Sequence, residues 1–236
     1  MPNPLKRAAV RVVKPVVGDR VWGHLKDPLG RRRADGARTA RTGTATAERP
    51  SLTDLGLQVG TDKATQHQYT RHYEHHLGHL RDEEFTLLEI GIGGYGRANK
   101  GGRSLRMWKR YFRRAQIVGL DIQDKSFVDR PRIRTYRGSQ VDHAVLDRIL
   151  ADVAAGDLRV VIDDGSHVPA HVRDTFAYLF PRLPEGAVYA IEDTQTSYYP
   201  AFGGAMDLDD PRTTMAMVKR LLDGLNWEEW IDPREE

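Results

Sequence analysis

From residue 51 onward, short aliphatic and β-branched runs alternate with segments of helical periodicity, and this alternation constrains the fold more than any other feature. FTLLEIG (85–91), QIVGLDI (116–122), RIRTYRG (132–138), RVVIDDG (159–165) and AVYAIED (187–193) read as five strands. Helices are expected near 103–114, 142–154, 169–181 and 212–225. Strands joined through helices pair in parallel, with helices covering both faces of the sheet. The expected fold is therefore α/β, a Rossmann-like doubly wound sheet.

Net charge has to be divided along the chain before it is used. The 236 residues carry +3 overall, with a pI near 9.1, which invites a nucleic-acid reading. Residues 1–50 hold 12 Lys/Arg against 4 Asp/Glu, whereas residues 51–236 hold 24 against 29. The chain is thus a +8 arm on a −5 body, and nucleic acid is not an expected partner of so acidic a body. In the arm, GRRRADGARTARTGTATAERP offers almost nothing to a core and reads as a disordered linker. Its first half can form a short amphipathic helix with Arg7, Arg11 and Lys14 on one face, suited to peripheral contact with a membrane surface. The domain division is a basic arm over 1–50 and a folded domain over 51–236.

Some classes fall away on composition. With no cysteine, disulfides, thiolate metal sites and thiol nucleophiles are excluded, and a reducing, cytoplasmic setting fits. No uncharged apolar run reaches the ~18–20 residues of a membrane span. Arg11 and Lys14 interrupt the would-be core of a signal peptide.

In a doubly wound sheet, ligands lie over the carboxyl ends of the strands. The first strand ends in Glu89-Ile-Gly91-Ile-Gly93-Gly-Tyr-Gly96, where glycines such as Gly91 and Gly93 let backbone amides approach a ligand. Spacing alone equally suits a nicotinamide or flavin dinucleotide. Glu89 shifts the balance, because a carboxylate is awkward beside a pyrophosphate and favourable beside an ammonium and a sulfonium. Asp121 ends the second strand and can accept both hydroxyls of a ribose, though it also fits a simple helix cap or turn.

The fourth and fifth strands end in Asp163-Asp164-Gly-Ser-His167 and Glu192-Asp193. Side by side, such carboxylates repel unless they are protonated or share a cation. Oxygen ligands suit a hard ion such as Mg²⁺, and His167, a short turn after Asp164, is placed to act as a general base. The plainer alternative is that one acid caps a helix while the others face solvent. His72, His75, His76 and His79 could suggest zinc, but without cysteine or acidic co-ligands a solvated helix face is the preferred reading.

GTDK, H-x-Y-x-x-x-Y, LLEIGIGGY, GGRSLRMW, IVGLDIQDK, RGSQVD, VIDDGSH, TFAYLFPRL and YAIEDTQTSY follow one another in that order. Together they resemble the metal-dependent sugar O-methyltransferases of the macrocin and mycinamicin type, over residues 51–227. That resemblance implies a class I methyltransferase fold that uses S-adenosylmethionine and Mg²⁺. The substrate would be a sugar hydroxyl of an antibiotic, glycolipid, polysaccharide or other glycoside. Carried over by position, it assigns metal ligation to Asp164, Glu192 and Asp193, with His167 as base. S-adenosylmethionine would meet Thr61, Glu89, Gly91, Ser104, Asp121, Ser139, Gln140 and the Asp163/Asp164 region.

Family members continue past the LNWEE-like segment into strands that complete a seven-stranded sheet, whereas this sequence has 11 residues after Leu225. Either this is a shortened member or the C-terminus is missing; the expectation is a sheet without the last two strands, its fifth strand an edge that a loop or a partner chain must cover. A homo-oligomer is also expected. Three alternatives stay open: a catechol-type O-methyltransferase, an inactive shortened partner subunit, and a dinucleotide oxidoreductase.

Overall fold

The computed structural model describes residues 49–226 except 96, 98 and 154–156. The expectations for the arm over 1–48 and for residues 227–236 lie outside the described residues. Within them, all five expected strands form: β1 (Thr86–Ile90), β2 (Gln116–Asp121), β3 (Ile133–Arg137), β4 (Leu158–Asp163) and β5 (Val188–Ile191). They make one parallel sheet in the order β3-β2-β1-β4-β5. The chain winds outward from β1 through β2 to β3, then returns to lay β4 on the other side of β1. A crevice therefore opens between the carboxyl ends of β1 and β4, where a doubly wound sheet binds its ligand.

The strands' two-residue period divides the core. Leu87, Ile117, Val160 and Ile162 point to one face, where they meet α1 (Leu52–Val59), α3 (Thr70–Leu77) and α4 (Arg103–Tyr111). Leu88, Ile90, Val118, Leu120 and Val161 point to the other, against α5 (His143–Asp152) and α6 (Pro169–Leu179). The flank of that second layer is α7 (Thr214–Asp223), which lays Met217 and Leu221 against the cluster. Trp108, Tyr111 and Phe112 fill the first layer, with Phe112 edge-on to Phe85 at 5.1 Å between ring centroids. Among the described residues, no helix is long and apolar enough to cross a membrane.

Two local features differ from sequence expectation. The helix expected over 103–114 stops at Tyr111. Its last carbonyls are taken by the Arg132 guanidinium, which donates to Lys109 O at 3.0 Å, Phe112 O at 2.9 Å and Ala115 O at 3.0 Å. This cap reaches the helix end from the loop before β3, so it locks α4 to the sheet. Arg132→Ala should cost about 2 kcal/mol, the scale of hydrogen bonds to a charged group, measured as a lowered urea midpoint with unchanged slope.

The other difference is the lead-in to β1, which is more helical than the pattern implied. Ser51 and Asp54 form a reciprocal capping box on α1, and left-handed Gly60 at φ +68° ends it. The chain turns straight into the short helix α2 (Asp62–Thr65), which carries Lys63 under the sheet's carboxyl edge.

Candidate active site

At the crevice, β1 gives way to the glycine loop. Gly91 has φ +86°, and a Cβ there would lie 2.0 Å from the Asp164 carbonyl oxygen, so no other residue fits. This close approach brings the ends of β1 and β4 together. Gly93 differs: its φ is +75°, but a Cβ would meet nothing within 4 Å, because that side opens to a cavity. The cavity measures about 780 Å³ and is lined by the glycine loop, Thr61, Ser104, Asp121, Asp164, His167, Glu192 and Asp193, among others. Its size suits a nucleoside-bearing cofactor with room for a second molecule. Asp121 is already anchored, accepting from Ile92 N at 2.9 Å and Gln123 N at 2.8 Å.

Beneath the cavity lies a buried ionic hub centred on Lys63, whose residue is 1% exposed. Its ammonium donates to Asp164 Oδ2 at 2.6 Å and to both Glu192 oxygens at 2.8 Å. Glu89 Oε1 is 3.4 Å away, an ionic contact longer than the hydrogen bonds. Two neutral donors complete the hub: Tyr73 Oη to Glu192 Oε1 at 2.5 Å and Trp108 Nε1 to Glu89 Oε2 at 3.1 Å. Burial alone would drive the proton off Lys63, but Glu89, Glu192 and Asp164 outweigh it and hold its pKa well above normal. Burial pushes Glu89 up to about 7 and Glu192 up to about 6, against the pull of Lys63 in both cases.

The raised Glu89 value has a consequence for stability. Between the ordinary carboxyl value of 4.5 and about 7, the folded chain binds a proton that the unfolded chain has released. Stability from this group is complete below 4.5 and is lost as pH rises through about 7. Glu89→Gln should therefore flatten the fall in melting temperature between pH 5 and pH 7.5, as followed by circular dichroism in EDTA.

Nearer the solvent is a second cluster. One ligand-capable atom from each of Asp164, His167 and Asp193 lies within 4.8 Å of the others. His167 Nε2 is 3.7 Å from Asp164 Oδ1 and 3.8 Å from Asp193 Oδ2, and Tyr69 Oη donates to Asp193 Oδ1 at 3.0 Å. His167 and Asp193 both adopt left-handed backbone, at φ 55° and 53°, a strained state for side-chain-bearing residues that recurs at functional sites. The two carboxylates facing the cavity suit a divalent cation, with the imidazole beside them placed as a base, whereas Glu192, the third expected ligand, lies outside this grouping with both its oxygens accepting from Lys63. Asp164 belongs to both clusters, with Oδ2 turned inward to Lys63 and Oδ1 outward to His167.

The predicted site residues therefore sort into layers. Thr61, Gly91, Gly93, Ser104, Asp121, Asp164, His167, Glu192 and Asp193 surround one cavity. Glu89, Ser139, Gln140 and Asp163 are not among the residues that line it. Gln140 Nε2 donates to Asp163 Oδ1 at 3.2 Å and to Thr175 Oγ1 at 3.1 Å, while Gln140 Oε1 accepts from Ser166 N at 2.8 Å. This pair braces the turn that carries Asp164 and His167. Among the described residues, no metal-capable grouping includes His72, His75, His76 or His79. Sequence reasoning gave Lys63, Tyr69, Tyr73 and Trp108 no role, although the first three lie in or just after the GTDK block. A lysine in a four-residue helix carries no sequence sign of burial.

Parallel strand order, glycine loop after β1 and carboxylates at the ends of β4 and β5 define a Rossmann-like methyltransferase fold. No protein-family model matches the chain. The 8-demethyl-8-α-L-rhamnosyl tetracenomycin-C 2'-O-methyltransferase of Streptomyces olivaceus is 52% identical over 181 residues, 77% of this chain and 47% of that protein. The mycinamicin VI 2''-O-methyltransferase of Micromonospora griseorubida is 45% identical over 185 residues, 78% of this chain and 46% of that protein. Among solved structures, the MycE methyltransferase of the mycinamycin pathway with Mg and SAH superposes with a TM-score of 0.74 at 45% identity. It covers 79% of this chain and 49% of that one. In sequence and fold the chain is a homologue of the macrocin- and mycinamicin-type sugar O-methyltransferases. It spans about half the length of the curated relatives it matches.

Proposed function

We propose that this protein transfers a methyl group from S-adenosylmethionine to a sugar hydroxyl of a glycosylated small molecule, with Mg²⁺ as its metal. The observation that carries the reading is the convergence of Asp164, His167 and Asp193 in the cavity that the glycine loop also lines. Relatives at 41–52% identity are named for O-methylation of glycosylated antibiotics, and the MycE structure holds Mg and SAH in the same fold.

When bound, S-adenosylmethionine supplies an electrophilic methyl on sulfonium, and Mg²⁺ supplies positive charge beside the reacting oxygen. Asp164, Glu192 and Asp193 are the residues read as holding the ion, and the β1 and β2 ends, with Gly91, Gly93 and Asp121, as holding the cofactor. His167 takes the hydroxyl proton at Nε2, which lies 3.7 Å from Asp164 Oδ1 and 3.8 Å from Asp193 Oδ2. The oxygen forms its bond to the methyl carbon as the carbon–sulfur bond breaks, leaving a neutral thioether. Because the transferred methyl offers no charge to grip, alignment supplies most of the rate. Gly91 and the Gln140–Asp163 brace provide that alignment by fixing the two strand ends.

The test is product formation from S-adenosylmethionine with a panel of rhamnosides and other deoxysugar glycosides, with a catechol alongside. Methylation of a glycoside that stops in excess EDTA and returns with Mg²⁺ is the expected result. Turnover of catechol alone, or undiminished turnover in EDTA, overturns the substrate or metal part respectively. A cytoplasmic homo-oligomer, with the arm free to touch a membrane surface, belongs to the same reading. Sedimentation velocity and liposome co-sedimentation check the two parts.

A further inference from the structure

We propose that Lys63 is a built-in counter-cation that competes with the divalent ion for Asp164 and Glu192, and so limits how tightly the body holds that ion. The inference rests on the metal-dependent reading above. Its ammonium stands 2.6 Å from Asp164 Oδ2 and 2.8 Å from both oxygens of Glu192, two of the three residues read as metal-holding. Neither Lys63 nor Glu192 has an easy alternative. Lys63 is buried on the short helix α2, and Glu192 is also gripped by Tyr73.

The hub's composition explains why a cation stands there. Glu89, Asp164 and Glu192 put three carboxylates around one ammonium; Glu192 and Glu89 otherwise accept from the neutral Tyr73 and Trp108, and Asp164 Oδ1 faces His167 outside the hub. Without Lys63 those acids must take up protons or share another cation. A divalent ion arriving at Asp164 therefore meets a positive charge already bonded to the same carboxylate. The like-charge repulsion acts at contact range in a poorly solvated site, and removing the ammonium leaves Asp164 and Glu192 as buried carboxylates short of a counter-charge, which a divalent ion supplies. Removing the ammonium should accordingly strengthen metal binding. A lysine that merely supported the fold would, on removal, loosen the site and weaken it.

The experiment is calorimetric titration of free Mg²⁺ into EDTA-stripped full chain, wild type against Lys63→Met, with melting temperature recorded before and after. Methionine keeps most of the apolar stem and removes the charge. The expected result is a Kd for Mg²⁺ at least about tenfold lower in the variant and a larger metal-induced rise in melting temperature, tenfold being 1.4 kcal/mol. Equal or weaker binding in Lys63→Met overturns the inference. If that variant does not fold without metal, Lys63→Met/Glu89→Gln against Glu89→Gln makes the same comparison with one fewer buried carboxylate. If neither the wild type nor Lys63→Met binds Mg²⁺, the metal-dependent reading itself is overturned, whereas equal affinities overturn only the role given to Lys63.

Discussion

His167→Asn is expected to bind S-adenosylhomocysteine as the wild type does while transferring methyl about 10²–10⁴-fold more slowly, the usual contribution of a positioned base. Asparagine is the informative replacement because position 167 has φ 55°, a left-handed conformation that asparagine tolerates far better than alanine does. Its amide cannot accept the hydroxyl proton. A backbone contribution to the loss is thereby kept small, and the deficit isolates the imidazole. The loss should fall on kcat with the KM for S-adenosylmethionine unchanged, because the ring faces Asp164 and Asp193 rather than the glycine loop. Single-turnover rates with saturating Mg²⁺ give the answer, and a kcat within threefold of wild type would remove His167 from the proton transfer.

Gly91→Ala should be the most disruptive single methyl group in the body. At φ +86° a side-chain-bearing residue is strained, and the added carbon would lie 2.0 Å from the Asp164 carbonyl oxygen. Backbone strain of ~1–3 kcal/mol and overpacking of ~1–3 kcal/mol then act together, for a combined loss of about 3–4 kcal/mol or more. The displaced group is the backbone of Asp164, so both clusters should suffer beyond the stability loss. Chemical unfolding measures the first effect and Mg²⁺ affinity the second. Gly93→Ala is the control: it shares the left-handed backbone but meets no neighbouring atom, so it should show the strain alone.

The sheet was legible in the sequence because parallel strands buried on both faces are written as unbroken apolar runs. TLLEI is fully buried along its length, and the five runs became five strands whose ends differ from the runs by no more than two residues. Strand-end acids were legible for the same reason, since a carboxylate closing an apolar run must face the edge of the sheet. Lys63 was not, because its burial depends on where Gly60 aims the following turn, a long-range matter without local periodicity. Gln140 and Asp163 show what position in a motif block leaves unsaid. Their place in the motif blocks associates them with the cofactor, yet their side chains spend their hydrogen bonds on each other and on Thr175 and Ser166. Arg132, the first residue of the third strand run but outside the family-like blocks, ends a helix that periodicity alone would have run on.

Asp164 turns one oxygen to a lysine and the other to a histidine, and this makes it a poor witness in mutagenesis. A substitution there removes the inner ion pair and the outer cluster together, so a lost activity or a lost metal has two causes that no dose of Mg²⁺ can separate. Asp193 reports on the outer cluster alone and Lys63 on the inner one. A double-mutant cycle between those two positions, with Asp164 left intact, would read the energy that the shared carboxylate transmits from one to the other.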